Sequence, residues 1–139
     1  MNQIQALQVS QSEALLSTKL TAPRLRAPLI MRPALLARLD RGVERKLTLV
    51  SAPAGSGKST LVSQWFSNSQ EASGGRAWIA LDAGDNDPVR FGRYLVNACK
   101  RFDADLGEGA LALLNVQEPP MEAALTLLIN ELAQLDGRY

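Results

Sequence analysis

Residues 47–60 constrain the fold of this chain more than any other stretch. They read Leu-Thr-Leu-Val-Ser-Ala-Pro-Ala-Gly-Ser-Gly-Lys-Ser-Thr. An apolar run with β-branched residues precedes a turn of small residues, and Gly-Lys-Ser-Thr opens a pattern typical of a helix. Strand, glycine-rich loop and helix N-terminus in this order are the context of a phosphate-binding P-loop, because glycines let backbone N–H groups surround a phosphate. The pattern therefore predicts a nucleoside triphosphate site.

The predicted nucleotide-binding residues form one continuous run along this loop. We expect backbone N–H groups of the loop to surround the β-phosphate, Lys58 to bridge the β- and γ-phosphates, and Ser59 to ligate Mg²⁺. Thr60 is expected near the α-phosphate. The first position of the usual motif is Ala52 in place of glycine, which alanine can fill if its φ stays negative. The run consists of Ala54, Gly55, Ser56, Gly57, Lys58, Ser59 and Thr60.

The order of apolar runs predicts an α/β fold with a parallel sheet flanked by helices. Two strands are predicted, at 46–51 and 76–81. The pattern of Leu, Pro and Gly residues predicts helices at 33–41, 58–68, from 88 onward, 108–114 and 120–135. A short helix around Glu13–Ser17 and an extended, proline-punctuated arm are expected before them.

Composition excludes several classes of chemistry. The 139 residues contain no histidine, which excludes His-based acid–base catalysis and His-ligated metals. The single cysteine, Cys99, excludes a disulfide framework. No apolar run reaches the ~20 residues of a membrane helix, and the N-terminus lacks the pattern of a secretory signal. We therefore expect a cytoplasmic protein with no membrane partner.

Basic residues concentrate at 19–46, where eight lysines and arginines stand against Asp40 and Glu44. Such a stretch is either an arm that meets an anion or an acidic partner, or a solvated basic face. We favour the solvated face, because the net charge of the whole chain is only +1.

An acidic residue at a strand end would be needed for phosphoryl transfer. Asp82, which follows the predicted strand Arg76–Leu81, is the only such residue and is a weak catalytic candidate. Its carboxylate could approach the phosphates, or it could order its own loop, and both interpretations stay open. Asp87, directly before Pro88, is better explained as a helix N-cap. No apolar strand ending in paired acids follows the last helix, so we expect the P-loop fold to be truncated before its Walker B strand.

Several stretches taken together resemble one family. They are Leu-Ser-Thr-Lys-Leu-Thr-Ala-Pro at 16–23, Leu-Ile-Met-Arg-Pro-Ala-Leu-Leu at 29–36, the P-loop, Ala-Trp-Ile-Ala-Leu-Asp at 77–82, and Asp-Asn-Asp-Pro-Val-Arg-Phe at 85–91. This combination resembles the N-terminal, ATP-binding part of MalT-like, LuxR-type transcriptional regulators, which are STAND P-loop ATPases. In that family an alanine at the first loop position is normal.

The resemblance implies an ATP-binding switch module that holds ATP or ADP with Mg²⁺. It further implies a sensor and a DNA-binding helix-turn-helix domain that are absent here, so that DNA would be a partner only through the missing domain. Ile30 and Arg32 match the element of related ATPases that touches the adenine end of the nucleotide. We accordingly divide the chain into an extended arm, 1–28, and an incomplete P-loop ATPase domain, 29–139.

Two other functions remain open from the sequence. One is a small P-loop kinase that phosphorylates a small molecule, with Asp82 orienting the acceptor hydroxyl. The other is a remnant that binds no ligand. ATP hydrolysis would need the missing Walker B acid, so enzymatic activity of this chain is undecided at this point.

Overall fold

The computed structural model describes residues 15–25, 30–68 and 75–135. Two compact units divide them: residues 15–21 with 75–135 form the helical unit, and 22–25 with 30–68 form the loop unit. The elements in chain order are a 3-10 helix at Ser17–Leu20, α1 at Pro33–Gly42, α2 at Lys58–Asn68, a second 3-10 helix at Ala83–Asn86, α3 at Pro88–Cys99, α4 at Glu108–Leu114 and α5 at Met121–Gln134.

The predicted parallel sheet is wrong, because all regular structure within the described ranges is helical. Residues 46–51 and 76–81, which the sequence predicts as strands, contain no strand or helix. A strand requires a neighbour that pairs with its backbone N–H and C=O groups. The first segment has no ladder, and the face that carries Leu47 and Leu49 is uncovered, since these side chains are 83% and 84% exposed. Its composition favours a strand, but pairing decides whether one forms.

The predicted helices are confirmed, and local signals set their ends. Pro33 opens α1, and Pro88 opens α3. The carboxylate of Asp87 accepts a hydrogen bond from the backbone N–H of Arg90 at 2.7 Å, so Asp87 is the predicted N-cap. α4 has the predicted bounds, and α5 lies within one residue of its predicted ends at both sides.

The core of the helical unit lies among α3, α4 and α5. The buried cluster consists of Val96, Cys99, Leu106, Ala110, Leu114, Ala124 and Leu128. Only part of the apolar surface of α5 is covered: Leu128 is buried, whereas Ile129 is 62% exposed. Tyr94 on α3 is also buried, and its hydroxyl accepts the backbone N–H of Leu16 at 3.1 Å, which ties the segment around the first 3-10 helix to this unit.

The loop unit is built on α1 and α2. The indole N–H of Trp65 on α2 donates to Asp40 Oδ1 on α1 at 2.8 Å. The hydroxyl of Thr48 donates to the carbonyl of Gly42 at 2.8 Å, which fixes the start of the segment after α1. The buried residues of α2 are Ser63 and Gln64. Its larger apolar side chains are half-buried, namely Leu61, Val62, Trp65 and Phe66. This pair of helices holds residues 52–57 at the N-terminus of α2.

The predicted division into 1–28 and 29–139 stays a prediction. Residues 1–14 and 26–29 lie outside the described part of the chain, and so does the boundary itself. The helix expected around Glu13–Ser17 also falls mostly outside it, and the first described helical turn begins at Ser17.

Candidate functional site

The loop at 52–57 has the backbone conformation that its glycines predict. Gly55 and Gly57 have φ angles of 76° and 86°, in the left-handed region that favours glycine. The N–H of Ser56 donates to the carbonyl of Pro53 at 3.3 Å and closes the turn. A Cβ built on either glycine would meet no heavy atom within 4 Å. The loop is therefore a curled backbone with open space beside it.

α2 begins directly at the end of this loop, at Lys58. The first N–H groups of a helix have no partner within it, and they carry the positive end of the helix dipole. The first hydrogen bond of the helical pattern runs from the backbone N–H of Leu61 to the carbonyl of Gly57, at 2.9 Å. Ser59 and Thr60 lie exposed in the first turn. The loop and helix together form a surface that favours an anion.

The side chain of Lys58 folds back over its own loop. Its Nζ donates to the carbonyl oxygens of Ala52 at 2.6 Å and Pro53 at 2.8 Å. The group is exposed, so these two bonds do not bury it. An ammonium has three donors on a flexible stem, so it can turn from these carbonyls to another acceptor without leaving the loop.

A cavity of about 430 Å³ adjoins the loop within the loop unit. Its charged lining residues are Arg32, Arg38 and Lys58, and no carboxylate of the described residues lines it. Apolar side chains form much of the remaining wall, from Leu35, Leu39, Leu49 and Leu61. A site of this size with a few polar groups on an apolar wall is typical of small-molecule pockets. The excess of positive charge favours an anionic ligand.

The structure separates the two residues expected at the adenine end of a nucleotide. Arg32 lies at the N-terminus of α1, where its carbonyl accepts from Leu35 N at 3.0 Å, and its side chain lines the cavity. Ile30 is 82% exposed and does not line it.

Arg38 is the lining residue that sequence reasoning missed. It was counted only as part of the basic stretch. Its spacing of three from Leu35 puts these two residues on one side of α1, which is the signal that could have identified it. That signal becomes usable only once Leu35 is known to face the loop.

Asp82, the weak catalytic candidate, lies in the helical unit within a cluster of charges. Its carboxylate binds Lys19 Nζ at 2.7 Å and accepts the N–H of Gly84 at 2.8 Å. Lys19 also binds Asp85 Oδ2 at 2.6 Å, and Arg90 Nε lies 3.4 Å from Asp85 Oδ1. Lys19 and Asp85 are buried, and Lys19 Nζ lies 4.8 Å from the centre of the Tyr94 ring. Asp82 and Asp85 form a reciprocal capping box around the second 3-10 helix.

The cluster shifts the pKa values of Lys19, Asp82 and Asp85, each in the direction that favours the charged form of the group. Burial alone would lower the pKa of Lys19, but its hydrogen bonds to Asp82 and Asp85 outweigh burial and raise that pKa. The hydrogen bond from Lys19 is the main cause that lowers the pKa of Asp82 and of Asp85. All three groups are thus held charged by one another. The carboxylate of Asp82 orders its loop in this arrangement, which is one of its two predicted roles.

The described residues contain neither a cluster of metal ligands nor a membrane-spanning helix. No group of three or more His, Cys, Asp or Glu residues in these ranges could hold a metal ion. Among the helices that the structure describes, none is long and apolar enough to cross a membrane. The thiol of Cys99 is buried, and burial raises its pKa, so it is not set up as a nucleophile.

Comparison with known proteins identifies relatives among transcriptional regulators. The chain is 39% identical over 87 residues to the HTH-type transcriptional regulator MalT of Cronobacter sakazakii (strain ATCC BAA-894). It is 40% identical over 84 residues to the protein of the same name from Serratia proteamaculans (strain 568). The matches cover 63% and 60% of this chain, and 9% of each relative. No protein-family model matches the chain.

These matches confirm the resemblance to MalT-like transcriptional regulators. The matched part is less than a tenth of either relative's length, so it does not extend to the activity of a whole regulator. At about 40% identity over more than 80 residues, the chain is related to MalT-type transcriptional regulators along a short part of their length.

Proposed function

We propose that this chain is the ATP-binding switch module of a MalT-like, LuxR-type regulator of the STAND class, holding ATP or ADP with Mg²⁺ at residues 52–60. The observation that carries this proposal is the loop conformation: two left-handed glycines lead directly into the N-terminus of α2, beside a cavity lined by cations. The similarity to proteins named as transcriptional regulators supports the regulatory part.

The residues of the loop fit a bound triphosphate. The space beside Gly55 and Gly57 is open where other residues would place a Cβ. The backbone from Ala54 to Lys58 would hold the β-phosphate, and the free N–H groups of the first turn of α2 would add to it. The hydroxyl of Ser59 would ligate Mg²⁺, with the phosphates supplying further ligands. The bound nucleotide supplies a phosphate chain whose length the module can read.

Lys58 is the residue whose environment would change on binding. Its bonds to the carbonyls of Ala52 and Pro53 join neutral acceptors to a cation. Phosphate oxygens are charged acceptors, and a hydrogen bond between a charged donor and a charged acceptor is stronger than one to a neutral carbonyl. We therefore expect Lys58 to exchange the loop carbonyls for the β- and γ-phosphates.

The proposed role is binding and switching, without turnover by this chain. Hydrolysis needs a carboxylate that orients water or holds the metal. The carboxylate of Asp82 is committed to Lys19 and to the N–H of Gly84 within the helical unit. The sensor and helix-turn-helix domains of such a regulator would read the nucleotide state, and DNA would be a partner only through the latter.

Isothermal titration of the chain with Mg-ATP and Mg-ADP tests the proposal. The unchanged chain should bind both with a saturable isotherm. Lys58→Ala should weaken ATP binding by at least about tenfold, the loss expected for one charge-assisted contact. Lys46→Ala is the matched control, since Lys46 is an exposed lysine of the same unit that does not line the cavity beside the loop. A chain with its helices intact by circular dichroism and no saturable binding would refute the proposal.

A further inference from the structure

We propose that Arg38 is a second phosphate-binding side chain of this site, and that it makes the site respond to the length of the phosphate chain. The inference rests on the proposed nucleotide function and extends it to a residue outside the loop motif. Its evidence is the lining of the 430 Å³ cavity, where Arg38 from α1 shares one space with Lys58 from α2.

The position of Arg38 on α1 follows from helical spacing. Leu35 and Leu39 also line the cavity, and Arg38 lies three residues after the first and one before the second. Residues spaced by three and four lie on one side of a helix, so the lining residues define the side of α1 that faces the loop. Arg41, on the last turn of the same helix, does not line the cavity.

The charges of the cavity argue for a polyanion. Three cations line it, with no carboxylate from the part of the chain that the structure describes, and like charges in one space repel each other unless an anion joins them. In the described part of the chain, the guanidinium of Arg38 has no hydrogen bond or ion pair to another residue. A guanidinium presents a planar fork that matches phosphate oxygens in a bidentate way.

The contribution of Arg38 to binding affinity should depend on how many phosphates the ligand carries. The loop motif holds the β-phosphate, and Lys58 reaches the β- and γ-phosphates. A further cation strengthens binding more for a ligand with more charge within its reach. Arg38 should therefore favour ATP over ADP and ADP over AMP, and contribute nothing to adenosine. This would let the module distinguish its two nucleotide states.

The experiment measures Kd values of the whole chain for Mg-ATP, Mg-ADP, AMP and adenosine, with Arg38→Gln, Arg38→Lys and Arg41→Gln. Arg38→Gln should weaken ATP binding by about tenfold, ADP binding by less, and adenosine binding not at all. Arg38→Lys keeps the charge and loses the fork, so its Kd should lie between those of the parent and Arg38→Gln. Arg41→Gln removes the same charge from the same helix away from the cavity, and its values should match the parent.

The outcomes separate this inference from the proposed function. If the parent binds ATP and Arg38→Gln matches Arg41→Gln, the role of Arg38 is refuted and the nucleotide function stands. Equal weakening of all four ligands by Arg38→Gln would also refute it, because that is the mark of a structural effect. If the folded parent binds none of the ligands, both proposals fail.

Discussion

Replacing Gly57 with alanine isolates the conformation of the loop from its packing. The φ of Gly57 is 86°, and a Cβ added there would meet nothing within 4 Å. Alanine therefore fits the space, and the substitution changes only the backbone energy. A left-handed conformation costs an L-residue about 1–2 kcal/mol. We expect Gly57→Ala to lower the free energy of unfolding of the loop unit by that amount.

Gly107→Ala provides a comparison for this loss of stability, because alanine at Gly107 would add a steric clash to the same backbone strain. Its φ is 78°, and a Cβ there would collide with Cγ1 of Val96, which is buried. Overpacking a filled core adds about 1–3 kcal/mol. Gly107→Ala should therefore destabilise the helical unit by about 2–5 kcal/mol, more than Gly57→Ala destabilises the loop unit.

The two tryptophans allow each unit to be followed separately. Trp65 lies in the loop unit and Trp78 in the helical unit. Urea unfolding of Gly57→Ala would be monitored by the fluorescence of Trp65 in a Trp78→Phe background. Gly107→Ala would be monitored by Trp78 in a Trp65→Phe background. Each variant is compared with its own background, so the tryptophan substitution cancels.

Gly57→Ala also has a functional consequence. The new methyl group enters the open side of the loop, where a phosphate would lie, so Mg-ATP should bind at least about tenfold more weakly. Gly107→Ala lies in the other unit and should leave the Kd of its folded fraction unchanged. If Gly57→Ala unfolds within about 0.5 kcal/mol of its background and keeps its ATP affinity, the left-handed loop is not what the site requires, and the reasoning fails.

Two further predictions concern the helical unit. Asp87→Ala removes the N-cap of α3 and should lower the free energy of unfolding by about 1 kcal/mol in a urea titration, whereas Asp87→Asn, which caps as well, should lose much less. In thermal melts from pH 2 to 11, the contribution of the charged cluster should be lost as the pH falls through the lowered pKa values of Asp82 and Asp85, and again as it rises through the raised pKa of Lys19. Lys19→Met should remove the alkaline loss that Lys19 causes and should shrink the acid loss, because the bond from Lys19 is the main cause that lowers both carboxyl pKa values. A profile identical to that of the parent would contradict the assignment.

The helices could be predicted from the sequence because their signals are local. A proline at the first position and a carboxylate before it are enough to start α3 at Pro88. The same holds for α1 at Pro33. The strands could not be predicted in this way. The run at 47–51 has the composition of a strand, but a ladder depends on a partner segment that composition does not specify.

The residues of the candidate site could be predicted only where their signals are local. Gly55, Gly57 and Lys58 follow from a motif whose residues are neighbours in the chain, and the structure shows the left-handed glycines and the helix that the motif implies. The pairing of Lys19 with Asp85 joins residues 66 positions apart, and no sequence pattern predicts it. Both interpretations of Asp82 were open for this reason, since its partner could not be read from its neighbours.

The basic residues at 19–46 form one run in the sequence, but they lie in different environments in the structure. Read as one run, they indicated either an anion-binding arm or a solvated face. In the structure they are not one feature: Lys19 is neutralised by two carboxylates in the helical unit, while Arg32 and Arg38 line the cavity beside the P-loop and Arg41 is exposed. Lys19 is therefore not a free charge for an anion, whereas Arg32 and Arg38 face an open cavity. Among the described residues of this stretch, Arg32 and Arg38 are the cations that line the cavity, where a bound phosphate chain would bring them and Lys58 to one ligand.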